Sequence, residues 1–191
     1  MPKTFIYHRK APDFTGGTLY PLNRLKKRLP ALHENAVKKY KGREWLLNVT
    51  IPPLTCLWND ALHFSLMHPS VIYKSLLSTG FTDSDRELSW FEVPLEDTLS
   101  QPTTLYLNTR PWQEEKILIN SDFKLATEGN VHELSGMPEI NLQYYRDCAA
   151  KGERPLLWKR APHLLLKGEL SVTNYRVFDW REVASAENKD Y

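Results

Sequence analysis

The stretch Trp58-Asn59-Asp60-Ala61-Leu62-His63-Phe64-Ser65-Leu66-Met67-His68-Pro69 decides how the chain folds. Residues 61–66 alternate weakly between apolar and polar, which predicts a strand. Pro69 suits the first turn of a helix, with Val71, Ile72, Leu76 and Leu77 as its apolar face and Gly80 as its stop. A strand therefore runs directly into a helix near mid-chain. Asn59 and Asp60 read either as a turn or as site residues. His68 or Ser70 reads either as a helix cap or as part of a polar cluster. Loop side chains at such a junction can converge while the scaffold stays rigid.

Towards the N-terminus, Thr4-Phe5-Ile6-Tyr7-His8 is β-branched and aromatic, a predicted strand. A loop with Pro12 and the pair Gly16-Gly17 follows. Leu22, Leu25, Leu29, Leu32, Ala36 and Tyr40 recur every three or four residues, an apolar helical stripe. Pro30 divides it into two helices, and Gly42 stops the second. Residues 43–49 predict a further helical turn or two, and Pro52-Pro53 an extended segment. Towards the C-terminus, residues 88–93 and 103–107 predict strands, and residues 116–125 a hairpin across Asn120-Ser121. Pro138 opens a helix with Ile140, Tyr144, Tyr145 and Cys148 on one side, stopped by Gly152. Residues 163–166, 170–172 and 176–180 predict late strands. Helices early and strands late give an α+β class, with a central mixed or antiparallel sheet.

The 191 residues suffice for one domain, expected over residues 1–183, with a frayed tail at 184–191. There is no apolar run of about 18 residues, so no membrane-spanning helix is expected. Residues 1–10 carry charges and no apolar core, unlike a secretory signal. Two cysteines, Cys56 and Cys148, exclude a disulfide framework and a four-thiolate zinc site within one chain. Both read as small buried apolar residues, and a reducing cytoplasm is the expected location. Trp90 and Trp112 are expected in the core rather than at a subunit interface.

Net charge is +2, but it is unevenly placed. Residues 24–43 hold Arg24, Lys26, Lys27, Arg28, Lys38, Lys39, Lys41 and Arg43 against one acid, Glu34, which makes the segment +7 and the rest −5. These cations are interleaved with the apolar stripe, so they decorate the solvent side of the same helices. They read either as a solvated face or as a patch for the phosphates of DNA or RNA. On this reading the basic surface and the reactive residues, which lie in the acidic remainder, are expected to be separate.

Six histidines are present, none in a His-Glu-x-x-His or Cys-x-x-Cys arrangement, so no metal is expected. Phosphate-binding glycine loops and a Gly-x-Ser-x-Gly elbow are absent too.

Three segments in order resemble the ADP-ribosyltransferase-like fold, and within it the DarT-like enzymes. They are Tyr7-His8 with the Gly16-Gly17 loop, the Asp60–Ser65 segment with Pro69 and Tyr73, and the segment from Pro162 to Val172. The triplet Tyr7-His8-Arg9 also resembles the start of RNA 2′-phosphotransferases. The resemblance implies NAD as cosubstrate and a nucleic acid or protein acceptor. It implies that Glu169, or else His163 or Asp60, is catalytic. It implies that His8 and Arg9 hold the adenosine ribose and pyrophosphate, that Tyr73 stacks on nicotinamide, and that His63 and Ser65 line the cleft. At the family's glutamate position this chain has His163, with Glu169 six residues later. The chain also resembles a set of uncharacterised small bacterial proteins through Leu57-Trp58-Asn59-Asp60 and Pro162-His163 with Lys167-Gly168, which implies no activity. The alternative is a non-enzymatic module binding nucleic acid or protein through residues 24–43.

Overall fold

A computed structural model describes residues 3–81, 87–110 and 117–183. Its centre is a seven-stranded antiparallel sheet that draws strands from both ends of the chain. The strands are β1 (Phe5–Arg9), β5 (Ala61–Ser65), β6 (Ser89–Pro94), β7 (Thr103–Tyr106), β8 (Phe123–Lys124), β9 (His163–Lys167) and β11 (Val177–Asp179). Their order is β11-β6-β1-β5-β9-β7-β8, so β5 lies between β1 and β9. Two small ribbons stand apart, β2 (Thr18–Leu19) with β10 (Leu170–Ser171), and β3 (Thr50–Ile51) with β4 (Cys56–Leu57). The helices are α1 (Leu22–Arg28), α2 (Pro30–Val37), α3 (Pro69–Ser78), α4 (Glu128–Glu133) and α5 (Glu139–Lys151). The fold is α+β. No helix among the described residues is long and apolar enough to cross a membrane.

Strand alternation gives the sheet two different faces. Ile6, Leu62, Phe64, Leu164 and Leu166 point to one face, where the β2–β10 ribbon and Val131 of α4 cover them. The other face is covered in two halves. Residues of α1 and the turns that follow α2 pack over Ala61, Leu165 and Tyr106. Helices α3 and α5 pack over Tyr7, Trp90 and Phe178. The two covers meet over the middle strands. Register places Tyr7 beside Ser65, Ser65 beside His163, and His163 beside Tyr106, one polar row across four strands.

Several local expectations change. Pro52-Pro53 opens a 3₁₀ turn rather than an extended segment, because proline needs no amide donor at a helix start. The hairpin over residues 116–125 does not form. Asn120–Asp122 is a 3₁₀ turn, and β8 pairs with β7. Lys116 and Trp112 lie outside the described residues, as does the tail 184–191. In α5 the buried side is Asn141, Tyr145 and Cys148, whereas Ile140 is exposed. Cys56 is half-buried and Cys148 buried, both free thiols. Gly152 follows α5 in the left-handed region at φ 65°, where glycine carries no Cβ penalty. Trp90 is fully buried, as expected.

Tyr145 ties α5 to the segment before β9. Its hydroxyl donates to the Leu157 carbonyl at 2.6 Å, and the ring is fully buried. Tyr145→Phe leaves that carbonyl short of a donor, with an expected cost of about 1–3 kcal/mol. Urea unfolding checks it, and an unchanged midpoint would show that solvent replaces the bond.

Candidate functional site

The alternation of β5 sends Ala61, His63 and Ser65 to the face with divided cover. Pairing with β9 brings His163 to the same place. The His63 and His163 rings lie 5.6 Å apart, centroid to centroid. Trp58 packs 4.6 Å from His63, and Tyr106 lies 5.2 Å from His163. Trp158 closes the far side at 6.1 Å from His163.

Each imidazole is fixed in one tautomer by a backbone carbonyl, which can only accept. His63 Nε2–H donates to the Trp58 carbonyl at 3.1 Å. His163 Nδ1–H donates to the Ala161 carbonyl at 3.1 Å. His63 Nδ1 and His163 Nε2 are then bare lone pairs. Neither is among the polar atoms sealed from solvent without a partner, unlike His8 Nδ1. Burial pushes His163 down to about 4. Burial, then the neighbouring His163 and the Lys39 ammonium, hold His63 well below its usual range. Both rings are neutral at physiological pH.

The charges around this pair are positive. Lys39 bears on both His8 and His63. Lys39 is exposed, and its ammonium lies 5.3 Å from the centroid of the Tyr40 ring. Protein packed round the ammonium, then Arg43 and Arg9, hold it below the usual lysine range. Arg24, Lys26, Lys27, Arg28, Lys38 and Lys41 are exposed and Arg43 is half-buried. None of the eight forms a salt bridge with a carboxylate among the described residues.

The remaining expected site residues disperse. Asp60 is used structurally, accepting from Asn23 Nδ2 at 2.6 Å and from the Leu57 amide at 3.1 Å. Asn59 donates to Asn23 as well, so this pair is the turn that anchors α1. Ser65 is committed to Met67, donating to its carbonyl and accepting from its amide. His68 caps α3, accepting from the Ser70 amide at 3.2 Å. Tyr73 packs against Trp180, ring centroids 5.1 Å apart, on the α3–α5 side. Glu169 is exposed in the turn after β9, where its backbone carbonyl accepts from Gln101. His8 lies edge-on to Phe64 in the other face, and burial, followed by Lys39, pushes it down to about 4.

A concavity lies on that other face. It is an open groove of about 360 Å³ with Lys10, Phe14, Gly16, Gly17, Phe91 and Tyr175 among its walls. A Cβ on Gly17 would collide with Thr173 Oγ1, so glycine is required for this close approach. Among the described residues, no group of three or more His, Cys, Asp or Glu could hold a metal ion.

Sequence reasoning did not single out Tyr106 or Trp158. Tyr106 ends a predicted strand, but its pairing with β9 is not written in its neighbours. Neither a protein-family model, nor a curated protein, nor a solved structure matches the chain.

Proposed function

We propose that the protein binds a nucleic acid backbone along the exposed cations of α1 and the turns after α2. The observation that carries the reading is that Arg24, Lys26, Lys27, Arg28, Lys38 and Lys41 are all exposed and none of them forms a salt bridge with a carboxylate among the described residues. Eight cations without a carboxylate in salt-bridge reach form a surface suited to phosphates. Backbone contacts of this kind position a strand without reading its sequence.

The test is binding of a labelled 20-nucleotide strand across a salt series. Affinity should fall steeply between 50 and 200 mM salt, with about 0.7–0.9 units of log–log slope per phosphate contact. The triple variant Lys26→Glu, Lys27→Glu, Arg28→Glu should weaken binding and lower the slope by about 2–3 units. A flat salt response in the native protein would sink the reading.

A second reading, NAD-dependent ADP-ribosyl or related transfer, draws on the groove beside Gly16-Gly17, next to which His8 pairs with Phe91 across β1 and β6. Cleaving a nicotinamide–ribose bond needs a carboxylate at the developing ribose cation. Glu169, Asp60, Tyr73 and His8 do not share one cleft, so these residues do not fit NAD. A thermal shift decides: ligand at 100 times its dissociation constant adds about 2.7 kcal/mol. No shift with millimolar NAD removes this reading. If NAD is turned over, Glu169→Gln should abolish it.

A further inference from the structure

We infer that the open groove beside Gly16-Gly17 is a binding site for a small aromatic anion, one planar ring system carrying one carboxylate or phosphate. The inference does not depend on strand binding along residues 24–43.

The groove is held in shape by its own backbone. Its walls come from distant parts of the chain, residues 10–17 and 172–177, and they are tied to each other. The Gly17 carbonyl accepts from the Val172 amide at 2.7 Å and from Thr173 Oγ1 at 3.4 Å. The approach is so close that a Cβ at position 17 would strike Thr173 Oγ1. Tyr175 is fixed at both ends. Its amide donates to the Val172 carbonyl at 3.2 Å, and its hydroxyl donates to Asp97 Oδ2 at 2.7 Å. A site formed in advance in this way spends little of its binding energy on ordering.

Its walls suit a ring. Phe91 and Val172 are buried and make the floor, while Phe14 and Tyr175 are half-buried at the sides. Phe14 stands edge-on to Phe91, with centroids 5.3 Å apart and planes at 72°. A third ring can therefore stack on one aromatic and meet the edge of another. The volume of about 360 Å³ lies at the small end for ligand pockets, which suits one ring system rather than a dinucleotide.

Its charge suits an anion. Lys10 is half-buried in the wall and forms no salt bridge among the described residues. No Asp or Glu lines the groove. Asp97 is engaged by the Tyr175 hydroxyl, and Asp13, on the loop beside Phe14, accepts from Asn35 of α2. An ammonium set among apolar walls without a counter-charge attracts a carboxylate or phosphate more strongly than one in open water.

The experiment is calorimetric titration of the full chain with benzoate and with 5′-AMP. Benzyl alcohol supplies a ring without charge, and acetate and inorganic phosphate supply charge without a ring. At least one of the two aromatic anions should bind, and which one binds separates a carboxylate ligand from a nucleotide. The three partial probes should bind about 10-fold more weakly or worse. Lys10→Gln should weaken binding about 10-fold or more, the size of a lost hydrogen bond to a charged group, and Lys10→Arg should restore it to within about threefold. Val177→Trp, at an exposed position lining the groove, should fill it and abolish binding while the urea midpoint stays unchanged. Binding of neither aromatic anion overturns the inference. Full affinity in Lys10→Gln overturns it too, as does a partial probe that binds as well as the aromatic anions. Binding of NAD without binding of benzoate or 5′-AMP also overturns it and assigns the groove to the transferase reading.

Discussion

Trp58→Ala is expected to cost the fold about 3–5 kcal/mol, the range for removing a large buried aromatic. The indole is only 8% exposed and sits where the α1 side meets the sheet. It touches His63 at 4.6 Å, stands edge-on to Tyr106 at 5.5 Å and to His163 at 5.8 Å, and shares a hydrogen bond with Tyr40. Alanine keeps the backbone carbonyl that orients His63 but opens a cavity against both histidines. The neighbours are strand residues and cannot collapse into it, so the cavity term adds to the lost burial. Water entering the space should also raise the His63 titration towards its ordinary range, because burial is the main cause holding it down. Urea unfolding gives the cost, and histidine proton resonances against pH give the titration. A loss under about 1 kcal/mol would mean that the surrounding side chains close over the space the indole leaves.

The parts of the fold legible in the sequence are those whose signals are local. Leu22 and Leu25 with Pro30 gave two helices because a stripe and a first-turn proline act within a few residues of themselves. Pro69 with Gly80, and Gly152 after α5, worked for the same reason. Helix α4 was missed because six residues with one buried side chain, Val131, show no periodicity. Its only local mark is Thr127, whose side chain accepts from the Asn130 amide. Strand order was not legible at all. The partners of β5 are β1 and β9, and nothing in residues 61–65 names either. His63 and His163 are a hundred residues apart in the chain and meet only through that pairing. Reading motifs in order therefore named His63 and His163, which the fold places 5.6 Å apart, but grouped them with Tyr73 and Glu169, which fold elsewhere. The charge asymmetry was legible as composition.

Acidification from pH 7 to 4.5 is expected to remove several kcal/mol of stability, before most carboxylates titrate. His163 and His8 are both held neutral down to about 4, first by burial, against an ordinary value of 6.5. His63 is shifted in the same direction. Between these two values the unfolded chain binds protons that the folded chain refuses, so stability rises with pH there. The contribution is complete above about pH 6.5 and is lost as pH falls towards 4. A shift of about 2.5 units corresponds to about 3 kcal/mol for each of His8 and His163. A total near 6 kcal/mol is a large share of the 5–15 kcal/mol typical of a domain. Asp122 adds a loss of its own only at lower pH. Burial opposes its ionisation, but the Arg110 pair and the Ile119 amide hold it below the usual carboxylate range. Urea midpoints at pH 7.5, 5.5 and 4.5 give the curve, and His8→Gln should flatten it by removing one of the titrating rings. An unchanged midpoint from 7.5 to 4.5 would mean that water reaches these rings and they titrate normally.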